Sequence, residues 1–375
     1  MSLESPEFRT SVQKLLVGLI LILVPLTVFG FYVAWQGDSH MRQMNGDNFR
    51  ALTLAAAEST SEFIATCVRD VSMIANGPTP IEAVTQANRQ YEHLSEEAVN
   101  DKIDTVERVW ESSQTDGLST KILTSDLAQQ LRRMRELNPT LLKIAVADAA
   151  GATVAATDRP VHYFQTDRDS WRALASRRQG TIHVSDLRYD DQSHLYYVSI
   201  AYPILQEGTG RFIGAVTAMA DVSPLFAQLN RRQMGRTGRL FLAREDGTVI
   251  EAPGVTPAMQ IKSEEYAAIR DALGSLRGRE TGYIYATLAN GQSYLIGFAD
   301  TGLKEAYPDL PWIVLASQEA RELNSPVRNM TAFALLVMIL ALLMLSLLGA
   351  YVFLHRKQEL EDIETPEDKG TAQAA

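Results

Sequence analysis

The sequence predicts an α+β fold in which one long amino-terminal helix precedes two tandem modules of similar plan, with an uncharged apolar run near each end. Three observations support this prediction: the apolar runs, a helical repeat of apolar residues, and two similar hairpin patterns. The predicted segments are a tail (1–14), a first transmembrane helix (15–36), a helical stalk (37–140), two modules (141–230 and 231–320), a second transmembrane helix (329–354) and a short tail (355–375).

The two apolar runs are long enough to cross a membrane. Residues 15–36 and 329–354 carry no formal charge over 22 and 26 residues, whereas a span needs about 20. A cleaved signal peptide is the alternative for the first run, but its length and its aromatic end favour an uncleaved anchor. Lys14 precedes the first run, and Arg356 and Lys357 follow the second, which predicts that both termini are cytoplasmic.

This topology places residues 37–328 on the other side of the membrane, in the periplasm of a bacterium. The composition excludes a nucleic-acid partner, because the net charge is −10 and no basic run exceeds two residues. Cys67 is the single cysteine in the sequence. It can form neither an intrachain disulfide nor a thiolate metal site with a second cysteine.

Residues 41–75 are predicted to form one amphipathic helix. Apolar residues recur there at steps of three and four positions, namely Phe49, Leu52, Ala56, Phe63, Cys67, Val71 and Ile74. The sequence NGPTP (76–80) ends this helix, and further helical patterns follow at 81–113 and 124–137. The apolar stripe of 41–75 requires a cover, which either a homodimer or the chain's own modules could provide.

The pattern changes at residue 141, where two hairpins indicate an internal repeat. LLKIAVADAAGATVAATD (141–158) and RLFLAREDGTVIEAPG (239–254) each contain two short apolar strands around a tight turn. When Gly151 is aligned with Gly247, the apolar positions of the two hairpins coincide. Each hairpin is followed by a short helix (168–177 or 262–276), a strand pair, and an apolar strand that leads into a helix.

These segments resemble a double Cache sensor domain, the PAS-like extracytoplasmic ligand-binding region of many bacterial chemoreceptors, sensor kinases and cyclic-dinucleotide enzymes. The matching pieces are QTDRDSWRAL (165–174), AYPI (201–204), RFIGAV (211–216) and GRTGRLFLAREDGTVIEAP (235–253), within a resemblance that covers most of 141–320. The resemblance implies a central antiparallel sheet with helices in each module, and a ligand-sensing function in a bacterial inner-membrane protein.

In the amino-acid-sensing members of this family, the pocket lies in the module farther from the membrane, which is 141–230 here. Aromatic residues and an arginine hold the ligand carboxylate, and an aspartate after a later strand holds the ammonium group. The resemblance implies ligand-binding roles for Tyr163, Asp167, Arg168, Trp171 and Asp221. Tyr189, Asp190 and Tyr202 are expected as further wall residues of the pocket. The expected ligand is an amine, an amino-acid-like molecule or an organic acid.

The pocket helix departs from the family pattern. Trp171 comes one residue later than in the amino-acid sensors, and Arg172 replaces a second aromatic, so we expect a ligand other than a plain amino acid. Asp167 and Trp171, four apart, match a second family variant better. The guanidinium of Arg168 suits a carboxylate or phosphate, and Trp171 offers an apolar or cation-binding face. Alternatively, Asp167 and Asp221 cap helices and Trp171 belongs to the core.

No nucleophile and base stand in a catalytic pattern in the sequence, so we predict no enzyme activity, cofactor or metal site. The 21 residues of 355–375 are too few for a kinase or cyclase, which predicts a separate output partner. The expected function is a membrane-anchored sensor that passes a conformational change through its apolar helices to that partner. A scaffolding membrane protein that binds another protein is the alternative.

Overall fold

The computed structural model describes residues 6–112, 117–165, 174, 181–231, 234–252, 254–255, 259–275, 281–323 and most of 335–351. The predicted helix at 168–177 therefore lies outside the described residues, apart from residue 174. By its contacts, the chain divides into one unit formed by Met1–Asn45 with Ala320–Ala375 and another formed by Gly46–Glu319.

The described residues form helices and strands in an α+β arrangement. The helices are α1 (Pro6–Ala75), α2 (Pro78–Asn88), α3 (Glu96–Ser112), α4 (Gly117–Thr124), α5 (Asp126–Leu137), α6 (Ser223–Asn230), α7 (Glu264–Ser275), α8 (Leu303–Ala306) and α9 (Ala320–Leu323). The strands are β1 (Leu141–Asp148), β2 (Thr153–Ala156), β3 (His183–Val184), β4 (Arg188–Asp190), β5 (Leu195–Leu205), β6 (Phe212–Asp221), β7 (Arg239–Arg244), β8 (Val249–Glu251), β9 (Thr281–Thr287), β10 (Ser293–Asp300) and β11 (Trp312–Glu319).

The strands form two antiparallel sheets with related orders. The first sheet has the order β2-β1-β6-β5, and both β3 and β4 pair with β5. The second sheet has the order β8-β7-β11-β10-β9. In each sheet, the opening hairpin lies beside the last strand of its module, as the internal repeat predicts. The predicted α+β class, the long amino-terminal helix and the two antiparallel sheets are confirmed.

The two predicted turns depend on glycine. Gly151 and Gly247 have φ angles of 91° and 84°, in the left-handed region that residues with a Cβ atom rarely adopt. Each glycine lies within the tight turn between the first two strands of its module. The two glycines that the sequence alignment pairs therefore occupy equivalent positions in the two modules.

The apolar stripe of α1 is buried within the same chain. Phe49, Ile64, Val71 and Ile74 are 4% exposed or less, and Cys67 is buried beside them. Polar contacts accompany this burial: Asn138 donates from Nδ2 to the Asp70 carboxylate at 2.6 Å. The stripe that suggested a homodimer is thus covered by the chain itself, and the homodimer stays a prediction.

Helices α2 to α5 pack on the first sheet. Asn88, at the end of α2, donates to the carbonyl of Ile213 at 2.7 Å and accepts from the amide of Ala149 at 3.0 Å. Trp110 of α3 is fully buried in a cluster with Ile122 of α4 and with residues of the first hairpin. The region 78–137 therefore covers the sheet and helps to form its core.

The unit that contains the chain ends exposes large apolar side chains on helical residues. Those exposed by 49% or more of their surface are Leu21, Tyr32, Met44, Leu335, Leu336, Ile339, Leu340, Leu343, Met344, Leu347 and Tyr351. Across the part of the chain that the structure describes, no helix combines the length and the apolar character of a membrane span. The second predicted span, 329–354, falls partly on residues outside that description.

The turn between β1 and β2 contains a buried carboxylate. Asp148 is 1% exposed, and its Oδ1 atom accepts hydrogen bonds from the amides of Ala150 and Ala152, each at 3.0 Å. Burial raises the pKa of Asp148 to about 6, although these amides and the hydroxyl of Tyr91 favour the charged form. The folded chain therefore holds a proton here at pH values at which the unfolded chain has lost it.

We expect Asp148→Asn to flatten the pH dependence of stability between about pH 4.5 and 6.5. The pKa of Asp148 is about 6 in the folded chain and near the ordinary 3.8 in the unfolded chain. The stabilising proton is therefore lost as the pH rises through this window, and the free energy of unfolding of the wild type falls by about 2 kcal/mol. The amide of the variant does not titrate. Urea unfolding at several pH values measures the slope.

Asp246→Asn, in the turn of the second hairpin, is the matched control. The hydrogen bond from the Lys262 ammonium lowers the pKa of Asp246 to about 2. Its stabilising effect is present above the unfolded pKa and is lost only as the pH falls below about 4, outside this window. This variant should keep the wild-type slope. An Asp148→Asn variant with the wild-type slope would contradict the assignment.

Candidate ligand-binding site

A cavity of about 70 Å³ lies on one face of the first sheet. Strands β1, β5 and β6 form its floor. Two connecting segments complete the wall: residues 157–165 after β2, here called the pocket loop, and the turn after β4. The lining residues are Lys143, Ile144, Ala145, Asp158, Arg159, Pro160, Val161, Gln165, Asp190, Gln192, Ser199, Thr217, Ala218 and Met219.

Strand register brings the polar floor residues together. Lys143 and Ser199 both pair with Met219, on the two sides of the central strand β6. Thr217 lies two positions from Met219 and therefore on the same face, because side chains alternate along a strand. An ammonium group, two hydroxyl groups and a thioether thus share one surface.

A charged pair stands where the floor meets the β4–β5 turn. Nζ of Lys143 lies 3.0 Å from Oδ2 and 3.1 Å from Oδ1 of Asp190, and it donates to Gln192 Oε1 at 2.9 Å. The side chains of Lys143 and Asp190 are 27% and 14% exposed. Burial opposes ionisation of Asp190, but hydrogen bonds from Ser193 and Lys143 outweigh it and hold the pKa of Asp190 below its usual value.

The pocket loop brings a second pair of opposite charges to the cavity. Asp158 binds Arg135 of α5 at 2.7 Å. The guanidinium of Arg159 lies 4.2 Å from the ring centre of Trp110 and donates to the Trp110 carbonyl at 2.6 Å. Gln165, which is 2% exposed, donates to the carbonyl of His162 at 3.0 Å and fixes the end of the loop. The cavity therefore has anchored groups of both signs over hydroxyl and apolar surface.

A second, wider cleft of about 640 Å³ lies between α2, α4 and β2. Glu82, Lys121 and Asp126 are among its lining residues, and all three are exposed. Exposed charges interact mainly with water, so these three residues offer weaker ligand recognition than the half-buried pair in the smaller cavity. Tyr163 and the buried Asp148 also line the cleft, and Asp148 already accepts hydrogen bonds from the Ala150 and Ala152 amides. We therefore take the smaller cavity as the candidate site.

The predicted site residues lie in different places. Asp190 lines the cavity. Tyr163 is 8% exposed and packs against Trp110, with ring centres 5.8 Å apart. Tyr189 is 45% exposed, and its hydroxyl lies 3.2 Å from Nδ1 of His194. A direct ligand contact for Tyr163 or Tyr189 stays a prediction.

Two further predicted residues have structural partners. Tyr202 is three positions from Ser199 on β5, so it lies on the opposite face of the sheet from the cavity floor. Burial and the nearby Tyr202 raise the pKa of Tyr307, in the second module. Oδ1 of Asp221 accepts from the amide of Ser223 at 2.8 Å and from its hydroxyl at 2.6 Å, at the start of α6. Asp167, Arg168 and Trp171 lie outside the described residues.

Sequence reasoning missed most of the polar cavity wall. Lys143 could have been identified from the sequence, because a lysine inside the mostly apolar strand LLKIAVAD requires a partner on the buried face. No feature of the sequence marks Asp158 and Arg159 as residues of a binding site. Their importance depends on contacts with α3 and α5, which the sequence placed in a separate stalk.

The tandem sheets and the cavity in the first module define the class of protein: a domain of two tandem α+β modules with a candidate ligand-binding site in the first. The family model of the Cache domain matches residues 41–327. The chain therefore belongs to the double Cache family, which confirms the resemblance inferred from the sequence. No curated protein matched the chain.

Solved structures with a similar fold include ligand-binding domains of chemoreceptors. CtaA of Pseudomonas fluorescens, in complex with L-isoleucine, has a TM-score of 0.47 and 14% identity over 76% of this chain and 97% of that one. PctB of Pseudomonas aeruginosa, in complex with L-Arg, has a TM-score of 0.43 and 16% identity over 76% of this chain and 95% of that one.

Substitutions of Asp221 test its structural role at the start of α6. We expect Asp221→Ala to lower the free energy of unfolding by about 1 kcal/mol, because Ser223 loses its acceptor at the start of α6. Asp221→Asn keeps an acceptor oxygen and should cost only a few tenths of a kcal/mol. Thermal unfolding of both variants tests this. Equal losses in the two variants would show that the charge, and not the acceptor, is what stabilises the helix start.

Proposed function

We propose that this chain is a membrane-anchored sensor whose first module binds a small polar ligand in the cavity above β1, β5 and β6. The observation that carries the proposal is the half-buried pair of Lys143 and Asp190, held on a sheet face with a second pair of charges in the pocket loop. The ligand classes that fit are amines, amino-acid-like molecules and small organic acids, because each carries a charge that one member of these pairs complements. The proposal includes no catalytic step.

A conformational change caused by ligand binding would be transmitted from the cavity through β4. Asp190 ends this strand, and Asp186 lies just before it. Asp186 Oδ2 accepts from Nε of Arg244 at 2.6 Å, and its Oδ1 accepts from the indole of Trp312 at 3.0 Å. Arg244 ends β7 and Trp312 begins β11, both in the second module. A ligand that moves the β4 turn would therefore shift β11, which continues into α9.

A ligand screen on the purified full chain tests the proposal. We expect at least one amine, amino acid or small organic acid to raise the melting temperature of the wild type. Lys143→Met and Asp190→Asn should each reduce the affinity for that ligand about tenfold or more, since a charge-assisted hydrogen bond contributes roughly 1.5–3 kcal/mol. Calorimetric titration measures the affinity of each variant.

The ion pair of Lys262 and Asp246, at 2.7 Å in the second module, provides the matched control. Lys262→Met and Asp246→Asn remove the same groups away from the cavity, so they should leave ligand affinity unchanged. A screen in which no compound stabilises the wild type would favour the scaffolding function. Undiminished binding by both cavity variants would show that the ligand occupies another site.

The membrane part of the proposal rests on the uncharged runs 15–36 and 329–354 and on the exposed apolar side chains between residues 335 and 351. Exposed apolar side chains of this kind are favourable in lipid and unfavourable in water. With the basic residues that flank both runs, it supports cytoplasmic termini and an extracytoplasmic sensor domain. A separate output partner would then read the movement of the two runs.

Cysteine labelling in intact cells tests this topology. In a Cys67→Ser background, we expect a membrane-impermeant thiol reagent to label Glu305→Cys, because Glu305 is exposed on the second module. Ser2→Cys should react only after the cells are lysed. Labelling of both positions in intact cells, or release of the chain from membranes at alkaline pH, would contradict an anchored protein with a cytoplasmic amino terminus.

A further inference from the structure

Outside the cavity, a histidine and two glutamates converge where the pocket loop meets α3. Nδ1 of His162 lies 3.2 Å from Oε1 of Glu107 and 3.9 Å from Oε1 of Glu111. One ligand atom from each of the three residues lies within 4.8 Å of the other two. Glu107 and Glu111 are four residues apart on α3, so both carboxylates project from the same side of the helix.

These separations are close to those of a metal coordination sphere. Nitrogen and oxygen ligands bind Zn²⁺ at about 2.0–2.1 Å, which places tetrahedral ligand atoms roughly 3.3 Å apart. The shorter observed separation already has this value, and the longer one requires a small rotation of the Glu111 side chain, which is 59% exposed. Water can supply the remaining position of a three-residue site.

The surroundings orient the cluster and favour a cation. Oε2 of Glu107 accepts a hydrogen bond from the amide of Phe164 at 2.7 Å, so its other oxygen is held toward His162. Hydrogen bonds of this kind orient metal ligands and strengthen binding. Glu107 is also the least exposed member, with 17% of its side chain accessible. The adjacent surface of α3 carries Asp101 and Asp104 together with Arg108, so its charge beside the cluster is still negative.

From this geometry we infer that Glu107, Glu111 and His162 form a binding site for a divalent transition-metal ion, of which Zn²⁺ is the representative. The imidazole selects transition metals over Ca²⁺ and Mg²⁺, because those ions prefer a shell of oxygen atoms alone. The site is distinct from the ligand cavity, and its residues do not line it. Bound metal would fasten the pocket loop to α3 through His162.

Fastening this loop has a consequence for the cavity. Asp158, Arg159 and Gln165 of the same loop line the cavity wall. The loop is already attached to α3 by the contact of Arg159 with Trp110 and by the Phe164 amide. The Trp110 indole also donates to the Pro160 carbonyl of this loop at 3.1 Å. A metal ion adds coordinate bonds to these contacts and lowers the freedom of the loop, which reduces the entropy that a ligand must remove on binding.

Titration of the full chain, purified without a histidine tag, with ZnCl₂ tests the inference by calorimetry. We expect one equivalent of Zn²⁺ to bind, and His162→Ala and Glu111→Gln to reduce the affinity about tenfold or more. Both side chains are more than half exposed, so the variants should melt at the wild-type temperature without metal. Amide hydrogen exchange should show that Zn²⁺ slows exchange within residues 157–165.

Matched controls come from the same region. Glu97→Gln, exposed on the same helix, and His93→Ala, exposed before it, should bind Zn²⁺ like the wild type. CaCl₂ should give no comparable binding. The inference is overturned if the wild type binds no Zn²⁺, if His162→Ala keeps wild-type affinity, or if Ca²⁺ binds as well as Zn²⁺.

Discussion

The close packing of α1 against the folded modules is the constraint on which the rest of the structure depends. Gly297 lies on a central strand of the second sheet, and a Cβ atom there would stand 3.0 Å from the Phe49 carbonyl oxygen. A Cβ atom on Gly46 would overlap the ring of Tyr283 on the edge strand. The helix therefore lies almost backbone to backbone on the second sheet, and larger residues would force the two apart.

The same helix also reaches the first module, through the hydrogen bond between Asp70 and Asn138. Helix α1 thus contacts both modules of the Gly46–Glu319 unit. The junction of Asp186 with Arg244 and Trp312 is a second connection between them. Because a carboxylate that accepts from both a guanidinium and an indole has a defined geometry, this junction fixes the segment before β4 against the second sheet.

Much of the fold follows from local sequence patterns, because those patterns depend on nearby residues. The turns at Gly151 and Gly247 require a residue that tolerates positive φ, and the alternation around them defines the strands. The covering of the first sheet by α2 to α5 could not be predicted in this way. Periodicity shows that a helix has an apolar face but not which surface covers it, so the region was assigned to a stalk.

The site was less predictable for the same reason. The pair of Lys143 and Asp190 joins residues 47 positions apart, and only the order of the strands brings them together. Asp190 was expected as a wall residue of the pocket, whereas its partner Lys143 was not. Tyr163 illustrates the opposite case, since its spacing suggested a ligand contact, but the nearby Trp110 of α3 provides an aromatic partner within the core.

The existing charge pairs limit what the cavity can accept. A ligand with a single negative charge could draw Lys143 away from Asp190. The Asp190 side chain, which is 14% exposed, would then have fewer hydrogen bonds to its carboxylate. Ser193 would still donate to Asp190, but loss of the Lys143 ammonium from a half-buried carboxylate is unfavourable. A ligand that carries both signs of charge, or a donor beside its anionic group, avoids this cost by satisfying both members. The electrostatics of the unliganded cavity therefore favour bifunctional polar ligands over simple anions of similar size.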